Sequence, residues 1–339
     1  MASIDPKSRV AGLLRVLEGP VPLVILPHDN PDPDALACAA TLRYLVREFL
    51  DKDAVIARGG IVGRAENRAM LKYLNIDLQP VGEIDLRGDV HVALVDTQPG
   101  RSNNSLPVDR VPTVVIDHHP AYAEYVGVPF LDMREHYGAT STILTEYLQE
   151  SRLEAESKIA TALFYGIAAE TQDLGRESTP ADIAAAQFLY PFANKRRLAK
   201  IENARVPRVY FRAFHDAIER ATVHGRAVVS TLPEVQYPDM VAEVADFLLR
   251  LDDVEWACAI GTFGEFLQVS LRTTEREVNA GDILQRVLGT DSAGGHDMTA
   301  GGRIRVGDDG ADATAGRVRT QLLVVLGIGD DVPSIPLVS

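Results

Sequence analysis

The sequence predicts an α/β protein with two domains, an N-terminal domain built on a parallel sheet and a smaller α/β domain at the C-terminus. At roughly 100–200 residues per domain, a chain of 339 residues has room for two. Short apolar runs alternate with helical patterns through the first half, as in parallel α/β sheets. After about Asp182 a basic helical stretch and a second series of strands follow. We place the domains at 1–190 and 216–339, joined by a helical linker at 191–215, and we expect a cleft between them.

Apolar runs and helical spacing indicate the elements of the first domain. The predicted strands are Val21–Leu26, Ala54–Ala57, Val90–Val95 and Val111–Ile116. The predicted helices are Ala35–Leu50, Arg64–Leu74, Ala139–Glu150 and Ser157–Glu170. Because the Val-rich strands are continuous apolar runs, we expect both faces of this sheet to be buried.

The second domain is predicted to mix strands and helices. The expected strands are Ala227–Thr231, Trp256–Thr262, Phe266–Leu271 and, last in the chain, Gln321–Ile328. The expected helices are Met240–Arg250 and Ala280–Leu288. The linker carries seven basic residues between Lys195 and Arg212. Its simplest interpretation is a solvated helix face, and the alternative is a local positive surface that attracts phosphates.

Composition excludes several classes of protein. Hydrophobic residues make up 46% and charged residues 24% of the chain, which is typical of globular rather than disordered or fibrous proteins. No apolar run approaches the roughly 20 residues of a membrane helix, and the first residues do not resemble a secretory signal. Cys38 and Cys258 are expected to be buried thiols in a reducing compartment, which predicts a cytoplasmic location. The net charge of −14 argues against binding to long duplex nucleic acid.

The most informative residues follow the first predicted strand, in the segment His28-Asp-Asn-Pro-Asp-Pro-Asp34. One histidine and three aspartates lie at the carboxyl end of this strand, where parallel sheets bind ligands. Alternatively, the segment is a polar turn that caps the next helix through Asp34. Two further strands end in such residues, at Asp96 and at Asp117-His118-His119. Because no predicted helix begins at either point, helix capping does not account for all three.

If the strands are parallel neighbours, these side chains converge on a metal site. Carboxylates packed together repel one another, and a divalent cation removes that repulsion. A mixed set of carboxylates and imidazoles suits Mn²⁺, with Mg²⁺ and Zn²⁺ as alternatives. The donors outnumber those that one ion needs, which predicts two ions about 3.5–4 Å apart. Such a pair activates water for attack on a phosphate ester without a covalent nucleophile.

A second group of residues points to anion binding in the C-terminal domain. His296 follows Gly294 and Gly295, and glycines allow backbone N–H groups to approach an anion closely. Arg272 directly follows a predicted strand and is a candidate phosphate ligand. The sequence contains no Gly-x-Ser-x-Gly, Walker or Cys-x-x-Cys motif. This disfavours acyl transfer, P-loop NTPase and zinc-ribbon functions.

Together these motifs resemble the DHH family of phosphoesterases that carry a DHH-associated C-terminal domain. Asp117-His118-His119 is the motif that names the family, while His28-x-x-Pro-Asp32-x-Asp34 and Asp96 match its first two motifs. Val269-Ser-Leu-Arg272 and Gly294-Gly-His296 match the C-terminal domain. The resemblance spans nearly the whole chain.

The resemblance implies two divalent metal ions bound by the first domain. The implied ligands are His28 and Asp32 for one ion, Asp34 and His118 for the other, and Asp96 for both. The fourth motif of the family, Gly-Ile-x-Thr-Asp, departs here to Gly166-Ile-Ala-Ala-Glu170. Either Glu170 takes the ligand position or Asp173 replaces it from one helical turn along, and the offset from Gly166 favours Glu170.

The resemblance also implies catalytic and substrate-binding residues. Asp117 would orient a ligand, and His119 would contact the substrate phosphate and protonate the leaving oxygen. The residues implied to bind the far end of the substrate are Arg272, Gly294, Gly295 and His296. The other histidines, away from polar strand ends, are expected to be structural or exposed: His91, His136, His215 and His224.

The function expected from the resemblance is a Mn²⁺-dependent phosphohydrolase that acts on short nucleotides. Similar proteins include nano-RNases, 3′-phosphoadenosine-5′-phosphate phosphatases and dinucleotide phosphodiesterases. A cleft closed by two domains limits substrate length, and neither long duplex nucleic acid nor a membrane is an expected partner. The alternatives are an inorganic pyrophosphatase or exopolyphosphatase, and a nucleotide-binding homologue without catalysis. The oligomeric state, a homodimer included, stays open.

Overall fold

The computed structural model describes all but a few residues of the chain. The described ranges are 7–121, 123–175, 178–295, 298–329 and 331–338. Two compact units divide the chain, the first ending at Arg205 and the second beginning at Val206. This division lies inside the predicted linker, and the domain boundaries given above stay predictions. No described helix is both long and apolar enough to span a bilayer.

A six-stranded sheet forms the centre of the first unit, and every neighbouring pair of its strands is parallel. The strands are β1 (Leu23–Pro27), β2 (Ala54–Arg58), β3 (Gln79–Pro80), β4 (His91–Val95), β5 (Val114–Asp117) and β6 (Phe130–Met133). Their spatial order is β3-β2-β1-β4-β5-β6. The direction of chain progression reverses between β1 and β4. In open parallel sheets, ligands bind outside the carboxyl ends of the strands at such a reversal.

Both faces of this sheet are buried, as the continuous apolar runs predicted. The helices of the unit are α1 (Arg9–Val16), α2 (Pro33–Leu50), α3 (Ala65–Leu74), α4 (Thr140–Ser151), α5 (Ser157–Glu170), α6 (Pro180–Leu189) and α7 (Lys195–Glu202). Leu23 and Ile25 of β1 belong to a large core formed with these helices. Val24 and Leu26 point to the opposite face and belong to a smaller core closed by loop residues such as Leu86. Strand β1 is therefore rigidly held where it leads into the His28 segment.

The segment after β1 turns directly into helix α2. Asp32 caps this helix by accepting a hydrogen bond from the N–H of Ala35 at 3.0 Å, and Pro33 occupies the first helical position. Proline is favoured there because the N–H it lacks has no partner within the helix. The alternative reading that Asp34 is the cap is therefore wrong, since the cap lies two residues earlier.

The second unit is built on a seven-stranded mixed sheet. Its strands are β7 (Thr222–His224), β8 (Ala227–Glu234), β9 (Trp256–Phe263), β10 (Phe266–Thr273), β11 (Ala293–Gly295), β12 (Thr299–Arg305) and β13 (Ser334–Pro336). The order is β11-β12-β10-β9-β8-β7-β13, with β8 and β9 parallel and the other pairs antiparallel. The helices are α8 (Arg208–Glu219), α9 (Asp239–Leu248), α10 (Ala280–Leu288) and α11 (Ala311–Val325).

The predicted final strand at Gln321–Ile328 is wrong, because most of this run lies in helix α11. The buried residues of α11 are Thr314, Ala315, Val318 and Leu322, which share one helical face. A short run of Leu and Val cannot be assigned to a strand or a helix by periodicity alone. The pairing partner of β7 is instead the short strand β13.

Candidate metal centre

Three neighbouring strand ends bring the predicted ligands together in the first unit. Strand β1 leads into His28, β4 into Asp96, and β5 into Asp117 and the two histidines that follow it. Pro27 is paired with Val95, and Val95 with Ile116, so these three strands end at the same level. The parallel register therefore places residues far apart in sequence at one edge of the sheet.

Asp96 lies at the centre of the group and is only 2% exposed. Its Oδ2 is 3.6 Å from Nε2 of His28, and its Oδ1 is 3.8 Å from Nε2 of His118. The hydroxyl of Thr140 donates a hydrogen bond to Oδ1 at 2.7 Å. Asp96 has a left-handed backbone (φ 58°), which costs a non-glycine residue on the order of 1 kcal/mol. The strained turn aims the two carboxylate oxygens at different histidines.

The donor atoms form two groups that share Asp96. The first is His28, Asp32 and Asp96, and the second is Asp96, His118 and His119; within each group the atoms lie within 4.8 Å of one another. In the first group, Oδ2 of Asp32 is 3.6 Å from Nε2 of His28. In the second, Nδ1 of His119 is 3.8 Å from Oδ1 of Asp96.

The residues of both groups fit divalent cations. Separations of 3.6–3.8 Å are too long for hydrogen bonds. Donors that lie about 2.0–2.2 Å from a common ion are, by contrast, about 3–4 Å from each other. His118 places Nδ1 2.9 Å from the carbonyl oxygen of Tyr137, and its buried Nε2 has no hydrogen-bond partner among the described residues. A histidine held through one nitrogen by a carbonyl, with the other aimed at a cluster of carboxylates, is the usual form of a metal ligand.

His28 is held in the same way. Its Nδ1 lies 2.9 Å from the carbonyl oxygen of Asp29, so its Nε2 is directed toward Asp32 and Asp96. The sequence predicted this residue as a ligand but could not indicate which nitrogen faces the site. The backbone carbonyl beside it determines that orientation.

The charges of the group raise the pKa of both histidines in the metal-free protein. Burial alone lowers the pKa of His28, but Asp32 and Asp96 raise it to about 10. Burial also opposes the charge of His118, but Asp96 and Asp34 raise its pKa to about 9. Burial and the neighbouring carboxylate of Asp34 raise the pKa of Asp96 well above its usual range. Protons on these groups therefore offset negative charge that a metal ion would otherwise neutralise.

Asp34 is close enough to raise the pKa of Asp96 and of His118, but it is not a member of either three-residue group. Its buried carboxylate accepts the N–H of Thr140 at 2.8 Å and that of Ser141 at 2.7 Å. These are the first two residues of α4, whose N-cap residue Ala139 has no side-chain cap of its own. Asp34 thus stabilises the start of α4 from another helix, and its role as a metal ligand stays a prediction.

The surroundings of Glu170 and Asp173 differ, and the choice of ligand between them stays a prediction. A Cβ on Gly166 would lie 2.5 Å from Oγ of Ser141 and 3.2 Å from Cα of Asp34, so α5 packs closely against α2 and α4 only because residue 166 is glycine. The close packing brings the last residue of α5 to the cluster, where burial and Asp32 raise the pKa of Glu170 to about 7. Asp173, in a left-handed turn beyond the helix, is exposed. The geometry therefore favours Glu170.

The carboxylate of Asp117 orients the ring of His119. Its Oδ1 lies 2.8 Å from Nδ1 of His119, and its Oδ2 accepts a hydrogen bond from Nε2 of Gln98 at 2.7 Å. His119 has a side chain that is 30% exposed, whereas Asp117 and Gln98 are buried. Sequence analysis missed Gln98, which lies two residues beyond Asp96 with no motif to single it out.

The predicted substrate residues of the second unit are described only in part. Arg272 is only 11% exposed, and its Nε donates to Oδ1 of Asp246 at 2.5 Å while Nη1 donates to Oγ of Ser270 at 2.8 Å. Gly294 and Gly295 are exposed in β11, and a Cβ on Gly295 would lie 2.3 Å from the carbonyl oxygen of Thr299. Glycine is thus required at 295 by its neighbouring strand. His296 lies outside the described residues.

Comparison with known families agrees with the motifs. Residues 22–167 match the DHH family, N-terminal domain, and residues 224–315 match the DHHA1 domain. The chain belongs to the DHH family of phosphoesterases, as its motifs predicted.

Two curated relatives are similar to most of this chain. The chain is 34% identical over 325 residues to the uncharacterized protein MJ1633 of Methanocaldococcus jannaschii, covering 93% of this chain and 66% of that protein. It is 29% identical over 319 residues to cyclic-di-AMP phosphodiesterase GdpP of Geobacillus thermodenitrificans, covering 88% of this chain and 46% of that protein. The chain thus spans about half to two thirds of the length of these relatives.

Among solved structures, the fold is similar to that of an exopolyphosphatase-related protein from Bacteroides fragilis. The TM-score is 0.72 with 12% sequence identity, and the match covers 96% of this chain and 99% of that one. At this level of identity the likeness concerns the fold alone. It agrees with the predicted combination of a parallel-sheet domain and a second α/β domain.

Proposed function

We propose that this protein is a Mn²⁺-dependent phosphoesterase that hydrolyses phosphodiester or phosphomonoester bonds of short nucleotides. The observation that carries the proposal is the carboxylate of Asp96, whose two oxygens face Nε2 of His28 and Nε2 of His118 at 3.6 and 3.8 Å. A carboxylate with an imidazole at each oxygen suits a bridge between two cations. The mixed nitrogen and oxygen donors favour Mn²⁺ over Mg²⁺, which prefers oxygen alone.

The ligands are assigned to the two ions as the family resemblance implies. His28 and Asp32 would hold one ion, Asp34 and His118 the other, and Asp96 both, with Glu170 at the position of the fourth motif. The two donor groups support this assignment for His28, Asp32, Asp96 and His118. When bound, the ions lower the pKa of a water molecule and neutralise phosphate oxygens.

His119 is assigned to the substrate phosphate and the leaving oxygen. Nδ1 of His119 lies 2.8 Å from Asp117, which is itself fixed by Gln98, so the ring has a defined orientation. We assign to His119 the delivery of a proton to the departing oxygen, and Asp117 acts as the positioning residue.

The size of the substrate is inferred from charge and from one relative. A net charge of −14 disfavours long polyanions. The related protein GdpP is named as a cyclic-di-AMP phosphodiesterase, which is an activity on a dinucleotide. Arg272 and the glycine strand with His296 are assigned to the far end of the substrate, as the family resemblance implies.

A substrate panel with added Mn²⁺ tests this proposal. The panel contains linear dinucleotides, short RNA, 3′-phosphoadenosine-5′-phosphate, cyclic di-AMP and pyrophosphate, with phosphate and mononucleotide release measured. We expect release from at least one nucleotide, and its loss on chelation and in Asp96→Asn. Release from pyrophosphate alone would favour an inorganic pyrophosphatase. Nucleotide binding without turnover would favour a homologue that has lost catalysis.

A further inference from the structure

Helix α8 presents an aromatic and basic face that the proposed metal centre does not use. Only Ala217 of this helix is fully buried, while Phe211 is 66% exposed. Arg208 and Arg212 are exposed and lie three residues before and one residue after Phe211. Positions 208, 211 and 212 share one side of a helix, opposite Ala217. We call these three residues the α8 face.

The positive charge of the α8 face is not neutralised within the described part of the chain. No acidic side chain there forms an ion pair with Arg208 or Arg212, whereas other exposed arginines of the same unit, such as Arg226 and Arg305, do have such partners. Acidic residues on α8 occur only toward its end, at Asp216 and Glu219. The first two turns of α8 therefore expose Arg208 and Arg212 next to the ring of Phe211.

The ring of Phe211 lies beside a cluster of other aromatic side chains. Its centroid lies 6.2 Å from that of Tyr210, which stacks on Phe214 at 4.6 Å. Phe214 in turn contacts Phe247 of α9 at 5.5 Å. Phe211 therefore lies at the exposed edge of an aromatic cluster, where its ring is accessible to a ligand.

We propose that the α8 face binds single-stranded nucleic acid, with a base stacked on Phe211 and phosphates held by Arg208 and Arg212. Alternating aromatic and cationic contacts are the usual features of sequence-independent single-strand binding. This inference rests on the proposed function, because it assigns strands longer than a dinucleotide to the same enzyme. The net charge of −14 is compatible with it, since only a few phosphates contact a local pair of arginines.

Equilibrium binding tests the α8 face without relying on catalysis. The probe is a fluorescein-labelled oligo(U) of about eight nucleotides, measured by fluorescence anisotropy in EDTA. We expect Phe211→Ala to weaken binding about 10-fold, the loss of one stacked base. The double variant Arg208→Ala/Arg212→Ala is expected to reduce the slope of log K against log salt by about 1.4, as two phosphate contacts are lost.

Helix α11 of the same unit supplies matched controls. Val324 is 66% exposed, as Phe211 is, and Arg319 is an exposed arginine. We expect Val324→Ala and Arg319→Ala to leave oligo(U) binding unchanged. Equal weakening in these controls, or unchanged binding in Phe211→Ala, would overturn the proposal. A change from dimer to monomer in sedimentation of Phe211→Ala, with binding intact, would instead assign the face to self-association.

Hydrolysis distinguishes this inference from the proposed function. In Phe211→Ala, we expect oligo(U) affinity in EDTA to fall about 10-fold and dinucleotide turnover to stay unchanged. Loss of dinucleotide turnover in this variant would contradict an α8 face separate from the metal centre. Absence of nucleotide turnover in the wild-type protein would defeat the proposed function, while the anisotropy result would still decide whether α8 binds nucleic acid.

Discussion

Two aspartates of the first unit, Asp96 and Asp132, are equally buried at 2% exposure but have opposite pKa shifts. Asp132 receives two hydrogen bonds from Arg134, at 3.0 and 2.9 Å, and one from Tyr147 at 2.6 Å. Burial alone raises the pKa of Asp132, but the hydrogen bonds from Arg134 lower it overall. The pKa of Asp96, beside other carboxylates, is instead raised well above its usual range.

The opposite pKa shifts of Asp96 and Asp132 distinguish a cluster whose charge the chain itself neutralises from a cluster whose charge it does not. The chain supplies a permanent cation to Asp132, and the resulting group is complete without any added partner. Among the described residues, the basic side chains that lie within 4 Å of the Asp96 carboxylate are histidines, which must be protonated to carry a positive charge. A buried cluster of acids without a permanent cation is a site where a metal ion is expected to bind.

Substitution of Asp96 is expected to have the largest effect on turnover and to contrast most clearly with substitution of Asp132. Asp96→Asn keeps the shape of the side chain but removes the charge between the two histidines. We expect turnover to fall at least about 100-fold, since even residues behind metal ligands cost 10–100-fold. Thermal unfolding of the metal-free variant is expected at or above the wild-type temperature, because a destabilising buried carboxylate has been removed. Unfolding at a clearly lower temperature would show that Asp96 is structural.

His119→Ala is expected to reduce turnover about 100-fold with a substrate that has a poor leaving group. The reason is that protonation of the leaving oxygen is lost while the metal ligands remain. A p-nitrophenyl phosphodiester, whose leaving group needs no proton, provides the control and should show a much smaller loss. An equal loss with both substrates would contradict the assigned role.

Glu170→Gln and Asp173→Asn form a matched pair at the end of α5. We expect Glu170→Gln to weaken metal affinity about 10-fold, because one carboxylate of the cluster becomes neutral. Asp173→Asn should bind metal as the wild type does, since this side chain is exposed. Metal titration followed by calorimetry measures both. The reverse result would move the ligand to Asp173.

Asp132→Asn should leave catalysis nearly unchanged but destabilise the fold by about 3 kcal/mol, because it removes the buried carboxylate that accepts two hydrogen bonds from Arg134. The lowered pKa means that the wild-type pair stabilises the protein above the ordinary value of 3.8 and that this stabilisation is lost as the pH falls below it. Denaturant unfolding at neutral pH and near pH 3 measures the difference. If the free energy of unfolding of Asp132→Asn is below that of the wild type by the same amount at both pH values, this explanation is wrong.

Local sequence patterns predicted the strand ends and most of the donor groups. The strands that lead to His28, Asp96 and Asp117 are continuous apolar runs. Periodicity separates such runs from the helices between them. The offset from Gly166 also favoured Glu170, because it matches the last position of the family's fourth motif. These features depend on residues close together in sequence.

Features that depend on distant residues were not predicted. The capping of α4 by Asp34 joins residues more than 100 positions apart, and the bond from Gln98 to Asp117 joins two strand ends. Asp132 lies within β6, a short strand of four residues with no clear apolar pattern. The error at Gln321–Ile328 arose because the helical face of α11 begins well before its apolar run.

Anomalous diffraction from crystals grown with manganese is the most direct test of the central claim. We predict two peaks in the first unit, with the carboxylate of Asp96 between them and Nε2 of His28 and of His118 each adjacent to one peak. Asp132 should have no peak, since Arg134 already satisfies it. Peaks elsewhere, or no peak near Asp96, would contradict the assignment of this cluster as a metal centre.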